Sequence, residues 1–79
     1  YLFKDRYGLH KIGRSIDPQK RAKDISQPNY PVDIVCTIKT EDMVALEQSL
    51  HGRFAEKRLG GEWFELNEND IEYIKRLAK

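Results

Sequence analysis

The glutamate at position 47 is the first side chain in this sequence whose setting calls for a chemical explanation. Residues 41–57 are predicted to form one long helix. At about 100° per residue, four apolar side chains of that helix fall on one stripe: Met43, Leu46, Leu50 and Phe54. Glu47 lies inside the stripe, and His51 lies one turn further on, at its edge. A carboxylate on the core-facing side of a helix is costly unless it is paired or binds a metal.

Two explanations for Glu47 follow from the helix alone. In the structural one, the carboxylate sits at the margin of the buried face and pairs with an arginine or lysine. In the functional one, it faces a cleft and holds a divalent cation, since hard cations prefer oxygen ligands. His51, four residues later, is a candidate supporting ligand, although a histidine there is more often packed or hydrogen-bonded.

Arg21, on an earlier helix, is a second charged residue beside a core-facing surface. Residues 17–26 are predicted to be helical, because Asp17 suits the cap and a proline suits the first helical position. The inward face of this helix is formed by Pro18, Ala22 and Ile25. Arg21 flanks that face, where a guanidinium needs a carboxylate or a phosphate partner. An Arg21–Glu47 salt bridge would satisfy both residues without any function.

The remaining elements predict a small α+β domain. Residues 1–4 and 9–13 read as an antiparallel hairpin, with Gly8 in its turn, and 32–40 as a central strand. Gly60-Gly61 is predicted to end the long helix, and 62–66 to be extended, with Trp63 and Phe64 in the core. Asn67 and Asp70 resemble a capping box for a last helix with apolar residues at 71, 74, 77 and 78. We therefore expect a mainly antiparallel three-stranded sheet flanked by three helices, in the order ββαβα plus a C-terminal helix.

Motifs along the chain resemble a known nuclease fold. Tyr1 is followed by Lys-Ile-Gly-Arg-Ser at 11–15 and then by Arg21, as in the GIY-YIG superfamily. In that superfamily a tyrosine-bearing strand precedes a strand ending in Tyr-Ile-Gly and a helix with an essential arginine. The segments Leu-Glu-Gln-Ser-Leu-His-Gly-Arg-Phe at 46–54 and Gly-Glu-Trp-Phe-Glu-Leu at 61–66 look like the T5orf172 branch. The resemblance spans essentially all 79 residues.

The resemblance implies a DNA endonuclease that uses one divalent cation, Mg²⁺ or Mn²⁺, to hydrolyse a phosphodiester. Tyr1 would help to deprotonate the attacking water, Arg21 would stabilise charge on the phosphate, and Glu47 would anchor the cation. Lys11 stands where the second motif has tyrosine, and could hold a phosphate or lower a neighbour's pKa. Asn67 is the nearest candidate for the late asparagine of the fold.

Charge and composition leave other functions open. The net charge is only +1, but residues 4–23 carry seven lysines and arginines against two aspartates. This segment is either a phosphate-binding surface, with Arg14, Lys20 and Lys23 as contacts, or an ordinary solvated face. Lys11 favours a DNA-binding module without catalysis, as does Ile25, which stands where nucleases of this fold often carry histidine or tyrosine. The near-zero net charge favours a protein-interaction domain of a phage or prophage protein.

The cysteine content and the length of the chain limit the cellular compartment and the number of domains. A single cysteine, Cys36, excludes an internal disulfide and a cysteine-rich zinc site, so we expect the cytoplasm of a bacterial or phage-infected cell. No apolar run approaches the ~20 residues that span a bilayer. Seventy-nine residues suffice for one domain. Because an apolar strand begins at Tyr1, we expect this domain to be a fragment of a longer protein.

Overall fold

The computed structural model describes residues 1–78, which form five strands and three helices. The strands are β1 (Leu2–Asp5), β2 (His10–Ile12), β3 (Val32–Cys36), β4 (Arg58–Gly60) and β5 (Trp63–Phe64). The helices are α1 (Pro18–Ile25), α2 (Met43–Arg53) and α3 (Glu68–Leu77), and a 3₁₀ turn spans Ala55–Lys57. The α+β class and the three helices are as predicted. None of the helices in residues 1–78 is long and apolar enough to cross a membrane.

The sheet is larger than the sequence predicted. Its order is β3-β1-β2-β5-β4, and every neighbouring pair is antiparallel. The prediction of three strands was wrong because the Gly60-Gly61 pair does not end a helix. It forms the turn of a β4–β5 hairpin, in which Gly61 has a φ of 54°, a conformation that glycine adopts readily. This hairpin adds two strands beside β2.

Two element boundaries also differ from prediction. The long helix ends at Arg53 rather than Lys57, because Phe54 leaves the helical region at φ −107° and ψ 22°. The third strand ends at Cys36 rather than Thr40, and it lies at the edge of the sheet rather than in its centre. The apolar residues of β3 suggested a central strand. Helix α1 packs against β3 and covers them in part, so they do not need a neighbouring strand on each side.

Local signals at the turns and caps are confirmed. Gly8 has a φ of 81° in the β1–β2 turn. The Asp17 side chain caps α1 by accepting a hydrogen bond from the Lys20 backbone N–H at 3.1 Å. Asn67 and Asp70 form the predicted capping box of α3. On the predicted apolar face of the last helix, residue 74 is buried and residue 71 half-buried, but residue 77 and the capping residue 78 are exposed.

Strand alternation divides the molecule into two sides. One face of the sheet carries the main core, formed with α2 and α3 by Leu2, Ile12, Leu50, Phe54, Phe64, Leu66 and Ile74. Phe3 points to the other face, where α1 lies, and is fully buried. Tyr1, Lys11 and Gly13 share that second face by the same alternation, so the sheet directs the motif residues toward α1.

Candidate active site

A cavity of about 640 Å³ opens where the start of β1 meets the end of β2, the segment after β3 and helix α2. Several predicted site residues line it together, although they are far apart in the sequence: Tyr1, Arg14 and Glu47. The other walls come from the 12–19 and 37–40 segments and from apolar residues of α2. The cavity therefore joins a polar side to an apolar side, as ligand sites commonly do.

Tyr1 is held in this cavity by its ring and by its backbone. The ring stacks on Phe3 with centroids 3.8 Å apart and planes at 9°. The backbone nitrogen of Tyr1 donates to the Gly13 carbonyl at 2.8 Å, and the Gly13 N–H donates to the Tyr1 carbonyl at 3.2 Å. A β-carbon on residue 13 would clash with the Tyr1 hydroxyl and lie 2.9 Å from Glu62 Oε1. Glycine at position 13 therefore leaves the space that the phenol occupies.

Arg21 approaches the Tyr1 phenol from α1. The guanidinium is exposed and lines a smaller hollow of about 360 Å³ beside the main cavity, with the 15–17 segment, Lys20 and Asp24. Burial raises the pKa of the Tyr1 hydroxyl, and the neighbouring Arg21 opposes that rise. Arg21 lowers this pKa by offering its guanidinium to the phenol oxygen and, to a smaller extent, by its charge.

Glu47 lies half-buried on the α2 wall of the cavity. Its Oε2 atom is buried and has no hydrogen-bond partner within residues 1–78. In that part of the chain the ion pairs are Lys11–Glu62 and Lys57–Asp70, so the Arg21–Glu47 salt bridge is not formed. The structural explanation for this carboxylate is therefore not met by any residue that the structure describes.

Lys11 is tied to a residue that the sequence did not single out. Its Nζ lies 3.4 Å from Glu62 Oε1 and 5.3 Å from the Trp63 ring centroid, and it does not line the cavity. The same Glu62 carboxylate lies beside Gly13 and raises the pKa of Tyr1 through its charge. Glu62 was missed because its position depends on the pairing of β5 with β2, which the sequence did not predict.

The family comparison agrees with this arrangement. The model of the T5orf172 domain matches residues 1–79. The chain belongs to the T5orf172 domain family. This domain is associated with the GIY-YIG-like nuclease fold and with nucleic-acid binding, which confirms the family that the motifs predicted. Searches of curated proteins and of solved structures gave no match.

The predicted nucleic-acid contacts of this T5orf172 domain are all exposed, but they do not form one cluster. Arg14 lines the main cavity, and Lys20 lines the smaller hollow beside Arg21. Lys23 lines neither of them and lies further along α1. The basic residues are thus spread along the α1 side of the T5orf172 domain.

His51 and Asn67 lie outside the cavity of the T5orf172 domain. His51 Nε2 lies 2.9 Å from the Ile12 carbonyl oxygen, and the ring meets Phe64 edge-on with centroids 4.9 Å apart. Asn67 caps α3 by accepting a hydrogen bond from the Asp70 N–H at 2.9 Å. Each side chain thus has a structural partner, and neither lines the cavity.

A metal site in the T5orf172 domain would depend on Glu47. Within residues 1–78 no group of three or more His, Cys, Asp or Glu residues is arranged to hold a metal ion. Glu47 nevertheless lines the cavity with a carboxylate whose buried Oε2 has no hydrogen-bond partner in the described chain, and a carboxylate is a hard oxygen donor that suits Mg²⁺ or Mn²⁺. One protein carboxylate with water and substrate oxygens is a common way to bind Mg²⁺.

Proposed function

We propose that this T5orf172 domain is a metal-dependent DNA endonuclease that hydrolyses a phosphodiester in the Tyr1–Glu47 cavity. The observation that carries the proposal is the Glu47 carboxylate, which is half-buried in the cavity wall and has an orphaned oxygen. An unpaired buried carboxylate destabilises the fold, so its presence there is understandable if it serves a ligand.

Each residue of the cavity has a role that follows from its setting. Glu47 would hold one divalent cation, which when bound neutralises phosphate charge and stabilises the leaving oxygen. Tyr1 keeps its proton at neutral pH, because burial raises the pKa of its hydroxyl, so the phenol first orients the attacking water by hydrogen bonding. Arg21 favours the phenolate and lies where it can stabilise charge on the phosphate.

Tyr1 and Arg21 would thus work as a pair. Only the small fraction of Tyr1 that has already released its proton to solvent can accept a proton from the attacking water, and the Arg21 guanidinium increases that fraction. Arg14, exposed at the cavity rim, is placed to contact the phosphate backbone of the same strand. Lys11 does not enter this scheme directly, because Glu62 already neutralises it.

The direct test is cleavage of plasmid and linear DNA with Mg²⁺ or Mn²⁺. Glu47→Gln is expected to lower the rate by 100-fold or more, since the side chain keeps its size and loses its charge. Glu72→Gln removes a charge from the exposed surface of α3 and is expected to leave the rate unchanged. Mn²⁺ binding, followed by paramagnetic broadening, gives a second readout that does not depend on activity. Cleavage and Mn²⁺ binding that survive Glu47→Gln would sink the proposal.

The second candidate function is a DNA-binding module without catalysis. The Lys11–Glu62 ion pair favours this alternative. Lys11 stands where the second motif has tyrosine, and a lysine that is neutralised by Glu62 has a structural role there and not a catalytic one. Under this alternative, the domain binds DNA with a strong salt dependence and cleaves none of it under any metal condition. Cleavage that is lost in Glu47→Gln excludes this alternative.

A further inference from the structure

The tip of the β1–β2 hairpin carries an ordered group of aromatic and basic side chains, far from the cavity. We name Arg6, Tyr7, Asn29 and Tyr30 the hairpin-tip cluster. The two tyrosine rings have centroids 5.7 Å apart and planes at 54°. Arg6 lies over the Tyr7 ring, 4.9 Å from its centroid, and donates to the Tyr7 hydroxyl at 2.9 Å and the Asn29 carbonyl at 2.7 Å. Tyr7 is 63% exposed, so a large aromatic surface remains accessible to a ligand.

A buried carboxylate fixes this cluster from below. Asp5 is only 3% exposed and accepts hydrogen bonds from the Tyr7 and Leu9 N–H groups, each at 2.9 Å. Its other oxygen accepts from the Tyr30 hydroxyl at 2.8 Å. The rings are therefore ordered before any ligand arrives, which lowers the entropic cost of binding. The Asp5–Tyr30 and Arg6–Asn29 contacts are enough to hold the hairpin against the 27–30 loop. This structural role does not explain why the Tyr7 ring is exposed.

Helix α1 connects this cluster with the cavity. Its cap residue Asp17 and its first residue Pro18 line the cavity together with Tyr1. Just after its last residue, Ser26 accepts a hydrogen bond from the Val32 N–H at 3.1 Å, and Val32 pairs with Asp5 at the far end of β1. Three of its eight residues are exposed bases, against a single acid: Lys20, Arg21 and Lys23, with Asp24. Positive charge therefore lies along α1 between the cavity and the hairpin tip.

We propose that the hairpin-tip cluster stacks an unpaired nucleobase of the DNA whose phosphodiester lies in the cavity. The inference rests on the proposed function and adds a substrate class, namely DNA with a gap, a bulge or a single-stranded overhang. Every base has an apolar face that can stack on Tyr7, and Arg6 adds a charge that attracts phosphate. Paired bases of an intact duplex do not offer that face.

The length of β1 sets the expected spacing. Tyr1 and Asp5 are four residues apart, about 13 Å at ~3.3 Å per residue, and the turn adds up to about 7 Å to Tyr7. In the duplex that leads up to the unpaired base, successive nucleotides of one strand rise about 3.4 Å along the helix axis. The stacked base is therefore expected about four to six nucleotides from the cleaved phosphate.

The experiment measures binding in the Glu47→Gln background without metal, so it does not depend on cleavage. DNA duplexes with 2-aminopurine placed in a gap, in an overhang or in a paired position are titrated with protein, because stacking quenches this base. We expect quenching at the unpaired positions and tighter binding to gapped than to intact DNA. Tyr7→Ala is expected to remove the quenching and weaken binding to gapped DNA by about 5- to 150-fold, since one stacked base contributes ~1–3 kcal/mol. Tyr7→Trp should preserve both.

Controls separate the failure of this inference from that of the proposed function. Leu59→Ala truncates another exposed apolar side chain, on β4, and is expected to change nothing. If Tyr7→Ala weakens gapped and intact DNA equally, the tip is only a phosphate contact and the inference is wrong. If DNA binds but no unpaired base is quenched, or the quenched base adjoins the mapped cut, the inference fails and the endonuclease proposal stands. If no DNA binds at all, both fail.

Discussion

The Tyr1 hydroxyl occupies space beside Gly13 that the β-carbon of any other residue at position 13 would fill. The first motif of the chain therefore packs against the second, because glycine at position 13 has no side-chain carbon. This packing also explains why glycine follows the second strand there, since Gly13 is not among the glycines with positive φ. The requirement is for room and not for backbone freedom.

Gly13→Ala is therefore expected to displace the Tyr1 phenol and to lower the free energy of unfolding by about 1–3 kcal/mol, the usual cost of overpacking. Chemical denaturation measures the stability, and cleavage should fall with it. Gly52→Ala is the matched control, because a β-carbon at Gly52 meets nothing within 4 Å and the residue lies in α2. That change should stabilise the protein by about 0.5–1 kcal/mol. Equal effects of the two changes would contradict the steric account.

Glu47→Gln is expected to raise stability while it abolishes metal binding. The carboxylate has a buried oxygen without a partner, and a neutral amide is cheaper to bury, so a gain of about 1 kcal/mol is expected. Thermal and urea unfolding without metal measure the gain, and Mn²⁺ titration measures the loss of binding. A marked loss of stability would mean that Glu47 has a structural partner after all, in which case its role as a metal ligand would lose its basis.

Arg21→Gln and Glu62→Gln are expected to move the pKa of the Tyr1 hydroxyl in opposite directions. Burial raises that pKa, Arg21 lowers it and the charge of Glu62 raises it. Removing Arg21 should therefore raise the pKa further, and removing the Glu62 charge should lower it. Ultraviolet titration at alkaline pH, with Tyr1→Phe as the reference, resolves the two shifts.

The pH dependence of cleavage should follow the same order. If the phenolate is the active form, the rise in rate with pH moves to higher pH in Arg21→Gln and to lower pH in Glu62→Gln. Glu65→Gln, an exposed neighbour on the same segment, should shift neither profile. Shifts of the same sign in both variants would show that the changes act through structure and not through charge.

His10 is expected to make the protein less stable as the pH falls. It is 3% exposed, and neither ring nitrogen has a hydrogen-bond partner of standard geometry in the described chain. Burial, aided by the charge of Lys4, lowers its pKa below the ordinary value of 6.5. The unfolded chain then binds the proton more readily than the folded one, so stability is complete above pH ~6.5 and declines below it.

Urea unfolding at pH 7.5 and at pH 5.0 measures this effect, and the midpoint should be lower at pH 5.0. His10→Phe, which cannot take up a proton, should reduce the difference between the two pH values. The window lies above the titration of ordinary carboxylates, so most of the change is attributable to histidine. An unchanged pH dependence in His10→Phe would assign the effect to another group.

The sequence by itself determined several caps and turns, and the family. Asp17-Pro18, Asn67 with Asp70, and Gly8 each act within a few residues, through caps and turn geometry that need no tertiary partner. Helical periodicity also sufficed to single out Glu47 as a carboxylate on an apolar face. Motif order gave the T5orf172 family, which the family model confirms.

Only the tertiary structure decided which side chains meet. The β4–β5 hairpin depends on a glycine turn and on pairing with β2, and this pairing brings Glu62 to Lys11 and Gly13. Periodicity placed Glu47 on an apolar face but could not show whether Arg21 reaches it. The fold instead sets Arg21 beside Tyr1 and leaves a Glu47 oxygen alone. Such contacts join residues far apart along the chain, so they follow from strand order and helix placement and not from local propensity.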